Sequence, residues 1–380
     1  MTELTGPDPT TTPPVFPSDA ALMAGPNALE DVPAPQPRDD DTPSEAGPGP
    51  ASPTAPPDPD GEVVPEDGAP VTVEAPRWPE DFRAGFVCVV GRPNAGKSTL
   101  TNALVGTKVA ITSGRPQTTR HNVRGVVHRD NAQLVLVDTP GLHRPRTLLG
   151  KRLNDLVRVT LTEVDVVAFC IPADEKVGPG DRFIARDLAE LRTPVVAVVT
   201  KADRVSRQDL AAQLLAVDAL GSWADIVPVS ATRGDQVDVL ADVLVERLPL
   251  SPPLYPTGEI TDEPQAVMVA ELVREAALEG VRDELPHSLA VVVDEIAEPS
   301  RAGLVKGQGS RLQVRVSLYV ERDSQKAIII GKGGARLKEV GVRARTGIEE
   351  LLGRKVYLDL HVRTAKDWQS DPKALAKLGF

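Results

Sequence analysis

The run Gly91-Arg-Pro-Asn-Ala-Gly-Lys-Ser98 constrains the fold of this chain more than any other feature. It follows the apolar stretch Gly85–Val90 and leads into a helical pattern over Lys97–Leu104. With this spacing, glycines let backbone N–H groups point at phosphate oxygens at the positive end of a helix, the lysine reaches the β and γ phosphates, and the serine hydroxyl holds Mg²⁺. The pattern therefore predicts a strand–loop–helix unit that binds a nucleoside triphosphate; a loop with only a structural role is the alternative.

Short valine-rich runs alternate with amphipathic stretches between Gly85 and about Leu248. This alternation predicts an α/β domain of the P-loop NTPase type, with a doubly wound, mostly parallel sheet and helices on both faces. The predicted strands are Gly85–Val90, Gln133–Asp138, Val164–Ile171, Val195–Thr200 and Asp225–Val229. The predicted helices lie near Lys97–Leu104, Leu149–Glu163, Asp181–Leu191, Ser206–Ala219 and Asp235–Arg247.

A proline cluster over Leu248–Pro256 predicts an extended linker between two domains. Beyond it, the periodicity predicts the order αββααβ, which is a smaller α+β module. The predicted boundaries are 84–249 for the first domain, 250–263 for the linker, 264–366 for the second module and 367–380 for a C-terminal tail.

The first 79 residues differ sharply in composition from the rest of the chain. They hold 20 of the 36 prolines and fifteen acidic residues against two basic ones. So few large apolar side chains cannot offset the entropy of ordering, which predicts a disordered, acidic, proline-rich tail over residues 1–80. Either a solvating tail or a partner-binding arm fits this composition.

Two further features concern the compartment. The sequence has no run of about 18 apolar residues, so no membrane-spanning helix is expected. Cys88 and Cys170 each lie in an apolar stretch, which predicts buried, reduced thiols and a cytoplasmic protein.

Three short motifs follow the ends of later predicted strands. Asp138-Thr-Pro-Gly141 offers a carboxylate for a metal ion and a free N–H for the γ-phosphate, although a plain turn is the alternative. Thr200-Lys-Ala-Asp203 places a carboxylate where it can accept hydrogen bonds from the N1–H and N2 amine of guanine, a donor pair that adenine lacks. Ser230-Ala231 can present a backbone N–H to the guanine oxygen. Four motifs in order at strand ends indicate GTP.

Together with Gln117-Thr-Thr-Arg-His121, these motifs resemble the five signature motifs of translation-factor-class GTPases, and the Gln-Thr-Thr-Arg-His form is similar to that of the Era-like family. The resemblance covers residues 86–366. It implies that Thr118 and Thr119 lie in the first switch, with Gln117, Arg120 and His121, and that Thr119 closes onto Mg²⁺. It also implies catalytic roles for Lys97, Thr119 and Gly141, and Mg²⁺ bound by Ser98, Thr119 and Asp138. The nucleotide-binding residues that it implies are Gly91, Arg92, Pro93, Asn94, Ala95, Gly96, Lys97, Ser98, Thr99, Asp138, Thr139, Pro140, Gly141, Thr200, Lys201, Ala202, Asp203, Ser230 and Ala231.

The sequence departs from the usual GTPase pattern at two positions. Thr200 stands where the family usually has asparagine, so we expect a weaker contact to the purine and the neighbouring loop, with guanine selection retained by Asp203. Leu142 stands where many GTPases have a glutamine that orients the attacking water, so we expect slow intrinsic hydrolysis. Asn94 resembles an asparagine that binds K⁺ in some relatives; shaping the loop is its alternative role.

The second module contains Gly331-Lys-Gly-Gly334 between two helical patterns. A lone G-x-x-G is often a turn, but within αββααβ it resembles the loop of a type II KH domain, which lies against the backbone of about four nucleotides. Residues 301–366 carry fifteen basic residues against six acidic ones, a balance typical of nucleic-acid binding, with a solvated basic face as the alternative. The predicted RNA-binding residues are Ile330, Gly331, Lys332, Gly333, Gly334, Arg336 and Lys338.

The resemblance implies a monomeric GTP- and GDP-binding switch whose partners are small-subunit (16S) ribosomal RNA and the 30S subunit, and whose role is assembly of that subunit. It also implies peripheral contact with the inner face of the cell membrane, which no feature of the sequence predicts independently. Two other functions remain open at this point. One is a membrane-associated regulatory GTPase whose basic face meets anionic lipid, and the other is an ATP-using P-loop enzyme with a protein-docking module.

Overall fold

The computed structural model describes residues 78–112, 119–142, 145, 147–279, 288–298 and 311–380. The predicted tail lies outside this part of the chain except for its last three residues. Gln117 and Thr118 of the first switch lie outside it as well.

The first domain is built on a six-stranded sheet in the order β2-β3-β1-β4-β5-β6. Its strands are β1 (Arg83–Val90), β2 (Val123–Arg129), β3 (Ala132–Asp138), β4 (Val166–Pro172), β5 (Val195–Thr200) and β6 (Asp225–Pro228). Only the β2–β3 pair is antiparallel. Every residue of β3, β4 and β5 is buried, as expected for valine-rich strands covered on both faces.

Helices pack on both faces of this sheet, and the sheet separates the two main apolar clusters of the core, one on each face. They are α1 (Lys97–Val105), α2 (Leu148–Glu163), α3 (Pro179–Ala189), α4 (Arg207–Asp218) and α5 (Val237–Val245). The predicted α/β architecture is therefore confirmed. Cys88 and Cys170 are buried free thiols, also as predicted.

The second module contains the predicted αββααβ order. Its elements are α6 (Gln265–Leu278), β7 (Ala290–Ala297), β8 (Leu312–Val320), α7 (Asp323–Ile330), α8 (Ala335–Leu352) and β9 (Val356–Thr364). Strand β8 pairs antiparallel with β7 and parallel with β9. The core forms where Val269 and Val273 of α6 and Ile348 of α8 pack on the buried side chains of β8.

The linker follows the edge of the large sheet. The Gln133 side chain accepts hydrogen bonds from the N–H groups of Leu254 (2.7 Å) and Tyr255 (2.9 Å) and donates one to the Tyr255 carbonyl (2.8 Å). Further along, the Val126 N–H donates to the Ile260 carbonyl at 2.9 Å. These bonds satisfy polar groups of the edge strand β2 and of its neighbour β3, so the proline-rich segment is held to the first domain.

A short helix, α9 (Pro372–Lys377), follows the second module. It belongs to a small apolar cluster that combines Leu149 and Leu153 of α2 with Ala290 of β7 and with Trp368 and Leu375. The segment 367–380 thus packs between the two halves of the molecule. No helix in the described part of the chain has both the length and the apolarity needed to cross a lipid bilayer.

Candidate functional site

The phosphate loop curls between β1 and α1 as the sequence predicts. Asn94 and Gly96 have positive φ angles of 63° and 91°, which give the loop its curvature. The Lys97 ammonium is buried and donates to the carbonyl oxygens of Gly91 (3.2 Å) and Arg92 (3.3 Å), so it spans the mouth of the loop. Its burial lowers the Lys97 pKa, while the nearby Asp138 carboxylate opposes that shift.

Three side chains that carry oxygen atoms meet beside this loop. The Ser98 hydroxyl donates to Oδ2 of Asp138 at 2.6 Å, and the Thr119 hydroxyl lies 2.9 Å from the Ser98 oxygen and 3.2 Å from the same carboxylate oxygen. Asp138 is fully buried, and its Oδ1 has no hydrogen-bond partner among the described residues. Burial raises the Asp138 pKa, and a bound cation would reverse that effect. Two hydroxyls and a carboxylate are the hard oxygen ligands that suit Mg²⁺.

The loop after β3 is pressed against the phosphate loop. A Cβ on Gly141 would lie 2.9 Å from the Pro93 nitrogen, so a larger residue would displace one of the two loops. Leu142 is buried in the core, with its N–H directed at the Gly91 carbonyl (3.3 Å), and its side chain does not face the site. The buried Thr139 hydroxyl donates to the Val89 carbonyl (2.8 Å) and ties this loop to β1. Pro140 is buried beside it.

The segment Thr200–Asp203 is held from two sides. The Thr200 hydroxyl donates to the Ala95 carbonyl at 2.5 Å, so threonine at this position does make a direct contact to the phosphate loop. The Ser230 hydroxyl donates to Oδ1 of Asp203 at 2.7 Å, a bond that lowers the Asp203 pKa and keeps the group an acceptor. The Ala202 N–H donates to the Val229 carbonyl at 3.1 Å. A carboxylate fixed in this way is set to recognise the two donors on one edge of guanine.

Two predicted residues contact acids that follow β4. The Lys201 ammonium lies 3.1 Å from Asp174, and the Arg92 guanidinium lies 2.7 Å from Glu175 and 3.2 Å from the fully buried Asp181. Sequence reasoning missed these three acids. For Asp174 and Glu175 the signal was available, since polar residues directly after a parallel strand gather at the edge where ligands bind; Asp181 lies further along, in α3.

The remaining nucleotide-site residues lie in the same region. Thr99 is in the first turn of α1, and Ala231 follows Ser230 after β6. The structure thus brings together the described residues of all the predicted nucleotide motifs.

In the second module, the Gly331–Gly334 loop turns sharply between α7 and α8. Gly331, Gly333 and Gly334 have φ angles of 71°, 60° and 78°. A Cβ on Gly331 would come within 2.7 Å of the Arg336 Cβ, so glycine is required at that position. The Lys332 and Lys338 side chains are exposed.

The three isoleucines before this loop have different environments. Ile329 is fully buried, Ile330 is partly buried and Ile328 is 51% exposed. The sequence offers all three isoleucines as candidates to line a groove for bases, with at least two of them expected in the core. Its exposure beside the loop makes Ile328 the better candidate for an apolar contact with bases. The Arg336 guanidinium donates to the carbonyls of Ala277 (3.3 Å) and Glu279 (2.9 Å), so it is engaged with the end of α6.

Comparison with known proteins supports both halves. Residues 86–201 match the family model described as 50S ribosome-binding GTPase, and residues 284–369 match the KH domain model. The chain is 66% identical over 304 residues to GTPase Era of Streptomyces coelicolor, covering 78% of this chain and 95% of that one. It is likewise 66% identical over 303 residues to GTPase Era of Mycobacterium avium, covering 79% and 99%.

This chain belongs to the Era family of GTPases. Solved Era structures agree with the fold. Era in complex with MgGDPNP and nucleotides 1506–1542 of 16S ribosomal RNA matches with a TM-score of 0.73 at 38% identity, over 78% of this chain and 99% of that one. A variant of Aquifex aeolicus Era bound to GDP and AlF4⁻ matches with a TM-score of 0.74 at the same identity and coverage. The predictions of a GTPase fold, a KH module and membership of the Era-like family are confirmed.

Proposed function

We propose that this Era-family GTPase binds GTP with Mg²⁺, hydrolyses it to GDP, and uses its KH module to bind small-subunit ribosomal RNA during assembly of the 30S subunit. The observation that carries the first part is the convergence of Ser98, Thr119 and Asp138 at one point beside the phosphate loop. The solved Era complex with MgGDPNP and 16S RNA supports both parts.

The residues central to the predicted site have the following proposed roles. The hydroxyls of Ser98 and Thr119 bind Mg²⁺, and Asp138 holds the ion through water. Lys97 contacts the β and γ phosphates, and the Gly141 N–H contacts the γ-phosphate. Asp203 selects guanine, and Ser230-Ala231 contacts the guanine oxygen. When bound, Mg²⁺ would neutralise charge that develops on the phosphates during hydrolysis.

Intrinsic hydrolysis should be slow. Leu142 can neither donate nor accept a hydrogen bond, and its side chain lies in the core, so it cannot orient a water molecule. We propose that Asn94, exposed at the outer turn of the loop, helps to bind a K⁺ ion that stimulates turnover. Comparing GTP turnover in KCl and NaCl at equal ionic strength tests this role, and equal rates in the two salts would refute it.

For RNA, we propose contacts from Gly331–Gly334, Lys332 and Lys338, with Ile330 and Ile328 facing the bases. Several other basic residues are already paired with acids of this chain: Arg315 with Glu295, Arg343 with Glu339, Arg354 with Glu298 and Lys355 with Glu349. In the described part of the chain, no acid lies within ion-pair distance of Lys332 or Lys338. Lys332 in the loop and Lys338 in the first turns of α8 are thus more available for phosphates than the paired basic residues of this module.

The decisive experiment is to crosslink bound RNA in cells and to sequence it. We expect fragments from the 3′ region of 16S RNA, and the Lys332→Ala/Lys338→Ala double variant should lose them. Lys373→Ala, an exposed lysine on α9, is the matched control. Random recovery of cellular RNA would contradict the proposal. Binding ATP as tightly as GTP would contradict the guanine assignment.

This function places the protein in the cytoplasm, as a monomer that works with the 30S subunit. The parts of the chain proposed to carry this function are the GTPase domain 84–249, the linker 250–263, the KH module 264–366 and the segment 367–380.

Peripheral membrane contact is tested by flotation with anionic vesicles, and recovery of the protein with vesicles but not with RNA would favour a membrane-associated regulator.

A further inference from the structure

The end of the first switch lies against the other half of the molecule. Arg120 is only 2% exposed, and its Nη1 donates to the Leu289 carbonyl at 2.7 Å. The guanidinium carbon lies 5.7 Å from the centroid of the Trp368 ring and 5.8 Å from that of Phe380. Burial and the nearby Arg274 lower the Arg120 pKa to about 9, so the group remains a cation at neutral pH and can interact with both rings.

The next residue extends this contact. The His121 ring stacks on Phe380 with a centroid distance of 5.2 Å and an interplanar angle of 13°. Phe380 in turn stacks on Trp368 at 5.6 Å. We call Arg120, His121, Trp368 and Phe380 the aromatic latch.

Trp368 and Phe380 are themselves fixed in place. Trp368 is fully buried, and its indole N–H donates to the Ser288 carbonyl at 3.0 Å. Arg152 on α2 donates to the Phe380 carbonyl at 2.7 Å, and the Leu149 N–H donates to the Gln369 carbonyl at 3.1 Å. Because α2 begins shortly after the Asp138–Gly141 loop, the segment 367–380 contacts the continuations of both nucleotide-sensing loops.

Thr119 directly precedes the latch and lies in the metal-binding cluster with Ser98 and Asp138. Consecutive Cα atoms are about 3.8 Å apart, so fixing Arg120 and His121 restricts where the Thr119 hydroxyl can lie. The latch is therefore closed in the same arrangement in which Thr119 reaches the metal site.

We propose that Trp368 and Phe380 are positioning residues that hold Thr119 in its metal-binding position, acting through Arg120 and His121. This inference rests on the proposed role of Thr119 as an Mg²⁺ ligand in the GTP-bound state. A triphosphate benefits from a closed first switch, whereas GDP has no γ-phosphate for the switch to close on. The latch stabilises the closed form of the first switch, which GTP binds better and GDP does not. Loss of the latch should therefore weaken binding of GTP far more than binding of GDP.

The test compares the affinities of the full chain for GDP and for a non-hydrolysable GTP analogue, both with Mg²⁺. Phe380→Ala should lower the affinity for the analogue roughly tenfold, which is the size of loss expected when a desolvated cation–π contact is removed. Affinity for GDP should change less than about twofold. Phe380→Tyr, which keeps the ring, should restore analogue binding. Tyr357→Ala removes a 40% exposed aromatic ring from β9 and serves as the matched control.

A second variant separates positioning from loss of folding. His121→Ala removes the same stack from the switch side, and the double variant His121→Ala/Phe380→Ala should lose no more analogue affinity than the stronger single variant. If Phe380→Ala does not fold, Phe380→Leu keeps the apolar volume without the ring and takes its place. Equal losses for GDP and the analogue, additive losses in the double variant, or no loss in a folded variant would each overturn the latch. Failure of the unmodified chain to bind GDP would instead refute the proposed function.

Discussion

The guanine-recognition loop and the first switch of the same GTPase domain are held by contacts of different origin. Thr200 and Asp203 are fixed by Ala95 and Ser230, which belong to the same domain. Arg120, at the end of the switch, is fixed by Leu289, Trp368 and Phe380, which lie at least 169 residues further along the chain. The contacts that hold the proposed guanine-recognition loop are thus local, whereas those that hold the end of the switch come from the second half of the molecule.

This difference distinguishes binding of a nucleotide from detection of its γ-phosphate. In our proposal, the nucleotide is captured by elements that the first domain builds alone, whereas the γ-phosphate is sensed where that domain meets the KH module and the segment 367–380. A second contact at this junction has the same character, because the Glu275 carboxylate of α6 accepts a hydrogen bond from the Thr112 N–H at 3.0 Å just before the switch. Shared contacts of this kind provide a physical route by which a nucleotide site and an RNA site can be coupled.

The largest expected effect concerns the nucleotide site that the first domain builds from its own residues. Lys97→Ala removes a buried cation from the phosphate loop and should weaken GTP and GDP alike by about a hundredfold or more. Fluorescence titration with labelled nucleotides measures both affinities. In nucleotide-free buffer, RNA affinity should stay unchanged, since the KH loop does not contact this site. Lys176→Ala, at an exposed lysine, is the control, and an equal loss in that variant would show that general charge is responsible.

The next effect concerns the linker that connects the two regions. Gln133 makes three hydrogen bonds to residues 254–255, and Gln133→Leu should lower the free energy of unfolding by about 1–3 kcal/mol because linker groups lose their partners. Urea denaturation measures this loss. Gln208→Leu, at an exposed position of α4, should change stability by no more than about 0.5 kcal/mol. A wild-type-like Gln133→Leu would mean that the linker is not held to the sheet in solution.

The local half of the molecule was largely predictable from sequence. The phosphate loop, the Asp138–Gly141 motif and the Thr200–Asp203 motif each come at the end of a buried, valine-containing strand, so the spacing of apolar runs and the order of these motifs predicted most of the sheet and of the site. Strand β2 was missed because Gly125 interrupts its apolar pattern. The structure explains that glycine, since a Cβ there would lie 2.7 Å from a methyl group of Val105.

The long-range contacts were not predictable in the same way. Trp368 and Phe380 lie in a segment with no regular periodicity, and nothing local indicates that their rings receive Arg120. Arg336 is a further example: its charge and position beside the KH loop favour phosphate, and its guanidinium also donates to carbonyls at the end of α6, which no local pattern indicates. Sequence gives residue type and spacing, whereas these assignments depend on which surfaces meet after folding.

A smaller effect distinguishes the two regions by their nucleotide preference. Thr200→Val keeps the side-chain shape but removes the hydroxyl that bonds to Ala95, so we expect roughly a three- to tenfold loss of affinity. Unlike loss of the latch, this change should affect GDP and the GTP analogue equally, because both carry the base and the β-phosphate. Thr200→Ser should restore binding. A loss confined to the triphosphate would show that Thr200 acts on the switch, contrary to the local assignment.

The smallest effect depends on pH at the junction itself. Glu263 lines a largely apolar cavity of about 420 Å³ with Ile111, Ile260, Leu272 and Leu351, and burial together with Asp262 raises its pKa from 4.5 to about 6. Glu263 therefore binds a proton more tightly in the folded chain than in the unfolded chain. Burying its charged form lowers the free energy of unfolding, and this loss of stability is present in full above about pH 6 and disappears as the pH falls toward 4.5.

Glu263→Gln carries no charge at any pH, so it should be more stable than the unmodified chain by up to about 1 kcal/mol at about pH 7.5, a figure reduced for the partial exposure of the group. This advantage should shrink as the pH falls and vanish near pH 4.5. Urea midpoints across this range measure it, and Glu163→Gln, at an exposed glutamate, should show no such trend. Because histidines titrate identically in both chains, they cancel in the difference. A difference in stability that does not depend on pH would mean that the Glu263 side chain stays hydrated in the folded chain. The GTPase domain and the KH module would then pack less closely around this cavity than around the aromatic latch.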